Sequence, residues 1–197
     1  MFNFDKDLQV IRHYTPSLDN RTGKPFVVMM SALPAAGKTY IARHLCTEFN
    51  CVHLESDFLR NKLIGSTANH GYAEDTRLFR AILARGEELV QEGNCVVFDS
   101  TNLREHHRQR IYDIAQRTGT PLFIFKLECD LEEIKKRLKK RWLDPKNNSQ
   151  ADYEVYLELS LWVEPIKHRH MLLNGTDKDA RETAVAIIRK GLKEYDD

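Results

Sequence analysis

One segment constrains the fold of this chain more than any other. The apolar run 26–30 (Phe-Val-Val-Met-Met) is followed by residues 32–39, which read Ala-Leu-Pro-Ala-Ala-Gly-Lys-Thr, and residues 40–45 have the pattern of a helix start. A short continuous apolar run is typical of a strand that is buried on both faces of a parallel sheet. A strand, a tight loop and a helix in this order predict the first βα unit of an α/β fold.

The loop matches the pattern G-x-x-x-x-G-K-[ST] except at its first position, where Ala32 replaces glycine. Such a loop binds phosphate through its backbone N–H groups and the positive end of the following helix. We expect Lys38 to reach the β- and γ-phosphates of ATP, and the Thr39 hydroxyl to ligate Mg²⁺. If the first position needs a positive φ angle, Ala32 carries strain that glycine would avoid. The predicted ATP-binding residues of this segment are Ala35, Ala36, Gly37, Lys38, Thr39 and Tyr40.

Strands and helices alternate through the rest of the chain. Apolar runs at 52–55, 95–98, 121–127 and 171–173 predict four further strands. Helical patterns lie at 77–91, 104–117, 131–142 and 179–195, and Ser149 is a candidate cap for one more helix. The alternation predicts a three-layer α/β fold of the P-loop NTPase class with a central parallel sheet. Residues 1–24 are polar with turn signals and are interpreted as an N-terminal extension to a P-loop domain at 25–197.

Composition excludes several other classes of protein. Lys and Arg total 30 against 29 Asp and Glu, so the net charge of +1 provides no overall attraction to nucleic acid or membranes. Four scattered cysteines without a C-x-x-C pair favour reduced thiols over zinc or redox chemistry. No apolar run approaches the length of a membrane span, and no signal-peptide pattern is present. A cytoplasmic protein without a membrane partner is therefore expected, and its oligomeric state is left open.

The third predicted strand is followed directly by Asp99, where P-loop proteins hold the Mg²⁺ shell with a carboxylate, here through water. Ser100 comes next, whereas a hydrolytic motor commonly has a glutamate there to polarise water. The guanine-reading motif Asn-Lys-x-Asp of GTPase switches is absent, because residues 176–179 (Thr-Asp-Lys-Asp) match it only superficially. The sequence thus favours a kinase over a motor or a switch.

A kinase needs a base near the acceptor hydroxyl and cations around the transferred phosphoryl group. Asp57 follows the second predicted strand, at the sheet edge where ligands bind in open α/β sheets, and Arg60 lies one helical turn further on. The alternative is that Asp57 only caps its helix and pairs with Arg60 at the surface.

A basic helix at 131–142 supplies candidate cations. Arg137 and Arg141 are spaced to share one face, and an anion that binds both would offset their repulsion. Together with the turn-rich segment that follows, this helix predicts a lid over ATP at about residues 131–152. The alternative is a solvated basic face, with affinity for RNA.

Tyr156 and Trp162 have helical spacing with Leu159 and are expected in the core.

These motifs together resemble those of a known group. Residues 32–39, Ser56-Asp57-x-x-Arg60, 97–102 and Arg137-x-x-x-Arg141 are similar to those of the ATP-binding "predicted kinase" group of P-loop proteins. That group is similar to the 5′-hydroxyl kinase domain of phage-type polynucleotide kinase and, more distantly, to zeta-toxin and chloramphenicol kinases. The resemblance covers about residues 26–192, in the same motif order.

The resemblance implies an adenylate-kinase-like fold with a helical lid. It implies Asp57 as general base, Arg60 as an acceptor-binding residue, and Arg137 or Arg141 on the phosphates, with Lys38 completing the catalytic set. It also implies that Asn174 and Thr176, after the last strand, bind ATP near the adenine.

The expected function is a magnesium-dependent kinase that transfers the γ-phosphoryl group of ATP to a hydroxyl. The candidate acceptors are a polynucleotide 5′-hydroxyl, a nucleotide-like molecule and a small metabolite, so nucleic acid is a candidate substrate. The alternatives are a nucleotide-binding regulator or weak ATPase without an acceptor, and a single-strand nucleic-acid binder that uses the basic helix.

Overall fold

Five parallel strands form the centre of the fold, in the order β2-β3-β1-β4-β5. The structure is a computed structural model and describes residues 3–19, 24–65, 71–142 and 151–196. The strands are β1 (Val27–Ala32), β2 (Val52–Glu55), β3 (Val96–Asp99), β4 (Leu122–Glu128) and β5 (Met171–Asn174). The helices are α1 (Phe4–Tyr14), α2 (Lys38–Phe49), α3 (Ser56–Leu63), α4 (Tyr72–Gln91), α5 (Glu105–Thr118), α6 (Leu131–Trp142), α7 (Tyr153–Ser160) and α8 (Ala180–Asp196).

The sheet separates two apolar cores. β1 is buried along its whole length, and its residues alternate between the two faces because successive side chains of a strand point in opposite directions. Val28 and Met30 pack with residues of α2, α6 and α8 on one face. Val27 and Met29 pack with residues of α1, α4 and α5 on the other. Helices on both faces of a parallel sheet confirm the three-layer α/β fold predicted from the sequence.

The order of the strands explains where a ligand site forms. β1 pairs with β3 on one side and with β4 on the other. α2, which follows β1, packs on the first face, whereas α5, which precedes β4, packs on the second. The chain therefore leaves the centre of the sheet in opposite directions, which opens a crevice at the carboxyl ends of the central strands.

The part of the predicted N-terminal extension that is described contains a helix that the sequence analysis did not predict. Asn3 caps α1 by accepting a hydrogen bond from the backbone N–H of Lys6 at 3.2 Å. Ile11 is fully buried among residues of the second core. Phe4, Leu8 and Ile11 have helical spacing, and the helix contacts α3 and α4.

The helix after the predicted lid begins later than the sequence analysis expected, since its N-cap is Asp152 and not Ser149. Asp152 caps α7 by accepting a hydrogen bond from the N–H of Val155 at 2.9 Å. Residues 143–150, which include Ser149 and the turn-rich segment of the predicted lid, lie outside the described residues. No helix in the described parts of the chain is long and apolar enough to cross a membrane.

Candidate active site

The phosphate-binding loop connects β1 to α2. Its first residue, Ala32, does not have a left-handed backbone conformation. Ala32 is the last residue of β1, and its N–H donates to the carbonyl of Thr101 at 3.0 Å. Positive φ angles occur at Ala35 (63°) and Gly37 (104°), and not at Ala32. The condition under which alanine would strain the first position is therefore not met, because that residue is extended. The left-handed conformation falls on Ala35, where the side chain carries a cost.

The turn after β5 packs directly against this loop. A Cβ atom on Gly175 would lie 1.9 Å from the carbonyl oxygen of Ala36, so only glycine fits this contact. The Gly175 N–H donates to the carbonyl of Glu128 at 2.7 Å. The Asn174 side chain accepts hydrogen bonds from the N–H (2.9 Å) and hydroxyl (2.7 Å) of Thr176. The structure thus brings Asn174 and Thr176 beside the loop.

Asp99 ends β3 and is the most deeply buried carboxylate of the site, 1% exposed. The ammonium group of Lys38 lies 3.6 Å from Oδ1, and Nε2 of His53 lies 3.0 Å from Oδ2. Burial by itself would raise the pKa of Asp99, but the charge of Lys38 and hydrogen bonds from His53 and Thr39 lower that pKa to about 2. Asp99 is therefore charged at neutral pH.

The oxygens around Asp99 suit a hydrated magnesium ion. Oδ1 of Asp99 is buried and has no hydrogen-bond partner among the described residues. A buried carboxylate oxygen without a partner is costly unless a ligand satisfies it. Oxygen ligands and retained water are what Mg²⁺ prefers, and the Thr39 hydroxyl lies within hydrogen-bond reach of the same carboxylate. Ligand atoms of His53, Glu55 and Asp99 also lie within 4.8 Å of one another.

The two predicted lid arginines, both on α6, have different surroundings. Arg137 donates to the carbonyl oxygens of Ala35 at 3.2 Å and Gly175 at 2.9 Å, and to the carboxylate of Glu133 at 2.9 Å. Its guanidinium group therefore links the phosphate-binding loop to the turn after β5.

Arg141 is partly buried. Burial lowers its pKa, as does the charge of Arg137, and the carboxylates of Asp57, Asp99 and Glu55 oppose that shift. The guanidinium group thus lies within electrostatic range of both predicted functional aspartates. The described hydrogen bonds of Arg137 go to Glu133 and two backbone carbonyls, whereas the charge of Arg141 interacts with Asp57 and Asp99.

Asp57 and Arg60 are not paired with each other as the capping alternative requires. The N-cap of α3 is Glu55, so Asp57 lies inside the first turn, and it is partly exposed. Arg60 is 6% exposed, and its Nη2 lies 2.7 Å from a carboxylate oxygen of Asp75 on α4. The structure therefore leaves Asp57 partly exposed while it buries Arg60.

Three residues that support the site were not predicted from the sequence. His53 contacts Asp99, and its only signal is its position two residues before Glu55, on the same face of β2. Arg108 is fully buried and donates to the carbonyls of Leu103 (2.7 Å) and Pro165 (2.8 Å). Asn102 has a φ of 46° and donates to the carbonyl of Met30 at 2.7 Å. Arg108 and Asn102 act on backbone carbonyls, which no sequence pattern specifies.

A larger cavity adjoins the loop, and a smaller cavity lies beside the second core. The larger, about 290 Å³, lies between the start of the loop, the end of β4 and helices α6 and α7, and it is lined in part by Leu103 and Tyr156. The smaller, about 20 Å³, lies between α4, α5 and the ends of β2 and β3.

Tyr156 is partly buried and packs against the first core. The expectation that Trp162 is a core residue is wrong: it is 40% exposed, because its ring stacks on the Arg104 guanidinium, 4.1 Å from the ring centre.

Residues 27–166 match the protein-family model AAA_33, which is described as an AAA domain. A curated relative is the 6-phosphofructo-2-kinase/fructose-2,6-bisphosphatase 1 of Rattus norvegicus. It is 26% identical over 159 residues, which are 72% of this chain and 34% of the relative. The chain thus matches about a third of that relative's length.

Solved structures share the fold over nearly their whole length. An APS kinase of Mycobacterium tuberculosis, in complex with AMPPNP and APS, has a TM-score of 0.60 at 16% identity and covers 85% of this chain and 98% of its own. Kti12 of Chaetomium thermophilum, in complex with ADP-AlF3, has a TM-score of 0.65 at 18% identity over 83% and 97%. These similarities establish a fold of the kinase-like P-loop type. The closer resemblance to polynucleotide kinase and zeta-toxin remains a prediction.

Proposed function

The chain belongs to the AAA_33 family of AAA domains, and on that premise we propose that it is an ATP-dependent kinase with a hydroxyl acceptor. One observation carries the proposal. Arg141 lies within electrostatic range of both Asp57 and Asp99, beside a loop whose Lys38 is 3.6 Å from Asp99. A base, a phosphate-binding lysine and an arginine thus meet at one edge of the sheet, which is the arrangement that phosphoryl transfer needs.

Asp57 is the general base of the proposed reaction. The acceptor hydroxyl oxygen attacks the γ-phosphorus of ATP, and the bond from that phosphorus to the bridging β–γ oxygen breaks. ADP leaves with the electrons of that bond, and the hydroxyl proton passes to the carboxylate of Asp57. A partly exposed carboxylate that is not used as a helix cap is able to accept this proton.

The loop residues and Lys38 bind and orient the phosphates of ATP. Backbone N–H groups of Ala35, Ala36 and Gly37 face the phosphates, and the Lys38 ammonium stabilises the charge on the γ-phosphoryl group. Thr39 and Asp99 would hold Mg²⁺, which when bound neutralises charge on the β- and γ-phosphate oxygens. Tyr40, Asn174 and Thr176 complete the proposed nucleotide site on the α8 side of the loop.

We assign different roles to the two arginines of α6. We assign to Arg141, whose charge interacts with both aspartates, the stabilisation of the phosphoryl group during transfer. Arg137 bonds the carbonyls of Ala35 and Gly175, so it positions the loop and the turn that flank the nucleotide. Arg60 borders the acceptor side.

The decisive experiment is transfer of labelled γ-phosphate from ATP with Mg²⁺ to short 5′-hydroxyl oligonucleotides, nucleosides and a panel of sugars and sugar phosphates. We expect Asp57→Asn to lower transfer by about 10²- to 10⁴-fold, the usual contribution of a general base, while the Kd for ATP stays unchanged. Lys38→Ala should lower both transfer and ATP affinity. Asp5→Asn, in the first turn of α1, is the matched control and should change neither.

The result that overturns the kinase proposal is equally specific. ATP hydrolysed slowly at the same rate by the wild-type and Asp57→Asn proteins, with no label on any acceptor, would favour a nucleotide-binding regulator or weak ATPase. Label on an acceptor that survives Asp57→Asn would retain the kinase and remove Asp57 as its base.

A further inference from the structure

A small cavity at the ends of β2 and β3 has two basic residues, His107 and Arg110, in a lining that is otherwise mostly apolar. We call Arg60, Arg104, His107 and Arg110 the acceptor-side basic cluster. His107 and Arg110 line the cavity together with Ser56 and Ser100, at the ends of β2 and β3. The charges of Arg104 and Arg110 both act on His107, so the three side chains lie within electrostatic range of one another. Asp57, the proposed base, directly follows Ser56 in the chain.

Arg60 supplies the observation that points to a ligand. Its side chain is 8% exposed, and its Nε and Nη1 atoms have no hydrogen-bond partner within the described residues. Arg60 lies four residues after Ser56 on α3, so the two share the helix face that borders the cavity. A buried guanidinium group with unsatisfied donors is costly, and an anion that accepts from them would remove that cost.

Carboxylates lie near two of the three guanidinium groups of the cluster. Asp75 pairs with Arg60 through Nη2, and its charge also acts on His107. Glu164 accepts from the backbone N–H of Glu105 at 2.6 Å, and its carboxylate interacts with the charge of Arg104. Among the described residues, Arg110 is therefore the guanidinium group of the cluster that forms no ion pair.

We propose that the acceptor of this kinase carries a phosphate ester, which the acceptor-side basic cluster binds while its hydroxyl faces Asp57. The inference rests on the proposed function and specifies its substrate class. Two guanidinium forks match the several oxygens of a phosphate better than a single carboxylate or a neutral hydroxyl. The cavity has about the volume of one water molecule and a largely apolar lining, so the phosphate binds at its mouth, beside Arg110 and His107, and not inside it.

His107 complements the arginines as an uncharged donor. Burial and the neighbouring charges of His106, Arg110 and Arg104 lower the pKa of His107 to about 4, so its ring is neutral at pH 7. A neutral imidazole still offers one N–H to a phosphate oxygen. The phosphate could belong to a small metabolite or nucleotide, or to the backbone of a nucleic-acid strand, because both present the same oxygens.

The test uses inorganic phosphate as the probe. The full chain is first saturated with Mg²⁺ and a non-hydrolysable ATP analogue, which fills the β- and γ-phosphate positions of the loop, and phosphate is then titrated calorimetrically. We expect Arg110→Gln, and Arg60→Lys as a variant that keeps the charge but loses the fork, each to weaken phosphate binding about tenfold or more. Lys190→Gln removes one charge from an exposed position of α8 and should leave it unchanged. Phosphate affinity that is equal in all four proteins overturns the inference.

Two competitors distinguish the sources of the phosphate. Methyl phosphate that displaces the probe better than a 5′-hydroxyl trinucleotide indicates a small phosphorylated acceptor, and the reverse order indicates a strand. Both outcomes support the inference when Arg110→Gln weakens the competitor.

The transfer assay separates this inference from the proposed function. Transfer to neutral hydroxyl compounds that is unaffected by Arg110→Gln would retain the kinase and overturn the phosphate-bearing acceptor. Phosphate binding that depends on Arg110, without transfer to any phosphorylated alcohol of the panel, would support the anion site and count against the kinase.

Discussion

Two regions of the molecule bury charged side chains in opposite ways. The catalytic edge, which we define as Lys38, Asp99 and Arg141, leaves Oδ1 of Asp99 without a hydrogen bond within the described residues. The α1 clamp consists of Asp7, Arg12 and Thr15 at α1 and Arg77, Arg85 and Glu88 on α4. Asp7 and Arg85 are buried in it, whereas the Arg12 side chain is 48% exposed. Each guanidinium group of the clamp donates hydrogen bonds. Arg77 donates to Asp7 at 2.8 and 2.6 Å, and Arg12 donates to Glu88 at 3.0 Å. Arg85 donates to the Thr15 carbonyl at 3.1 and 3.2 Å.

The two regions differ in what completes the contacts of a charged side chain, which is a ligand at the catalytic edge and other protein groups in the α1 clamp. A buried charge with complete partners loses its compensation when one partner is removed, so its variants lower the stability. A buried charge with an open position is completed by substrate, so its variants lower binding or activity first. Variants in the two regions should therefore have opposite effects on unfolding and on nucleotide binding.

The largest effect on stability is expected from Arg85→Met in the α1 clamp. Arg85 is 5% exposed. Its replacement removes the hydrogen bonds that it donates to the Thr15 carbonyl and to the carboxylates of Glu88 and Glu92. We expect the free energy of unfolding to fall by about 3 kcal/mol and the Tm by about 6–12 °C. ADP affinity below the new Tm should not change. Thermal unfolding and calorimetric ADP titration measure both.

Arg117→Met is the control for that variant. Arg117 also forms a two-bond pair with a glutamate, Glu87, but its side chain is 55% exposed. Exposed pairs contribute about 0–1 kcal/mol. Equal losses in the two variants would contradict the role assigned to the buried clamp.

Gly175→Ala should have the reverse effect, since the turn after β5 contacts the loop. The added methyl group cannot fit 1.9 Å from the Ala36 carbonyl, so the turn or the loop must shift. Overpacking costs about 1–3 kcal/mol, and we expect ADP affinity to fall about 10- to 100-fold. Gly191→Ala overpacks Phe123 of β4 instead, and it should lower the Tm with ADP affinity retained. An ADP affinity equal to wild type in Gly175→Ala would show that this contact does not shape the nucleotide site.

Ala35→Gly tests whether the loop itself stores strain. Ala35 has a φ of 63°, and glycine removes the steric strain of its Cβ atom in this left-handed conformation. Glycine also increases the conformational entropy of the unfolded chain, which offsets part of that gain. We therefore expect Ala35→Gly to stabilise the ligand-free protein by about 0.5 kcal/mol. Ala36 is 2% exposed and does not have a positive φ, and Ala36→Gly should destabilise the protein. Urea unfolding of both variants decides the point; destabilisation by Ala35→Gly would show that its methyl group contributes packing that outweighs the strain.

The smallest effect concerns the pH dependence of the clamp. The hydrogen bond from Arg12, with a second from Arg85, lowers the pKa of Glu88 below its usual 4.5. A lowered pKa in the folded state contributes stability that is present above pH 4.5 and is lost as the pH falls through the folded value. The stability difference between wild type and Glu88→Gln should be about 1 kcal/mol or less at pH 7 and should shrink below pH 4.5. A difference that stays constant from pH 7 to pH 3.5 would contradict this coupling.

The strongest local patterns predicted most of the fold. The five strands begin and end within two residues of the predicted runs. β1 and β3 are buried along their whole length, and a strand buried on both faces must be continuously apolar. The sequence analysis missed α1, although Leu8 and Ile11 have helical spacing, and the helix is stabilised by pairs with α4 about 70 residues away. No local window contains such pairs.

The sequence by itself determined which chemical groups the candidate site contains: the phosphate loop with Lys38 and Thr39, and the carboxylates of Asp57 and Asp99. Each lies at the end of a predicted strand, and parallel strands bring their carboxyl ends to one edge. Only the tertiary structure decided which side chains and backbone carbonyls surround these groups. It directs Arg137 to backbone carbonyls and Arg141 toward the aspartates, adds His53 to Asp99, and buries Arg60 with two free donors. Such contacts depend on distances between elements that are far apart in the chain, which residue types and spacing do not encode.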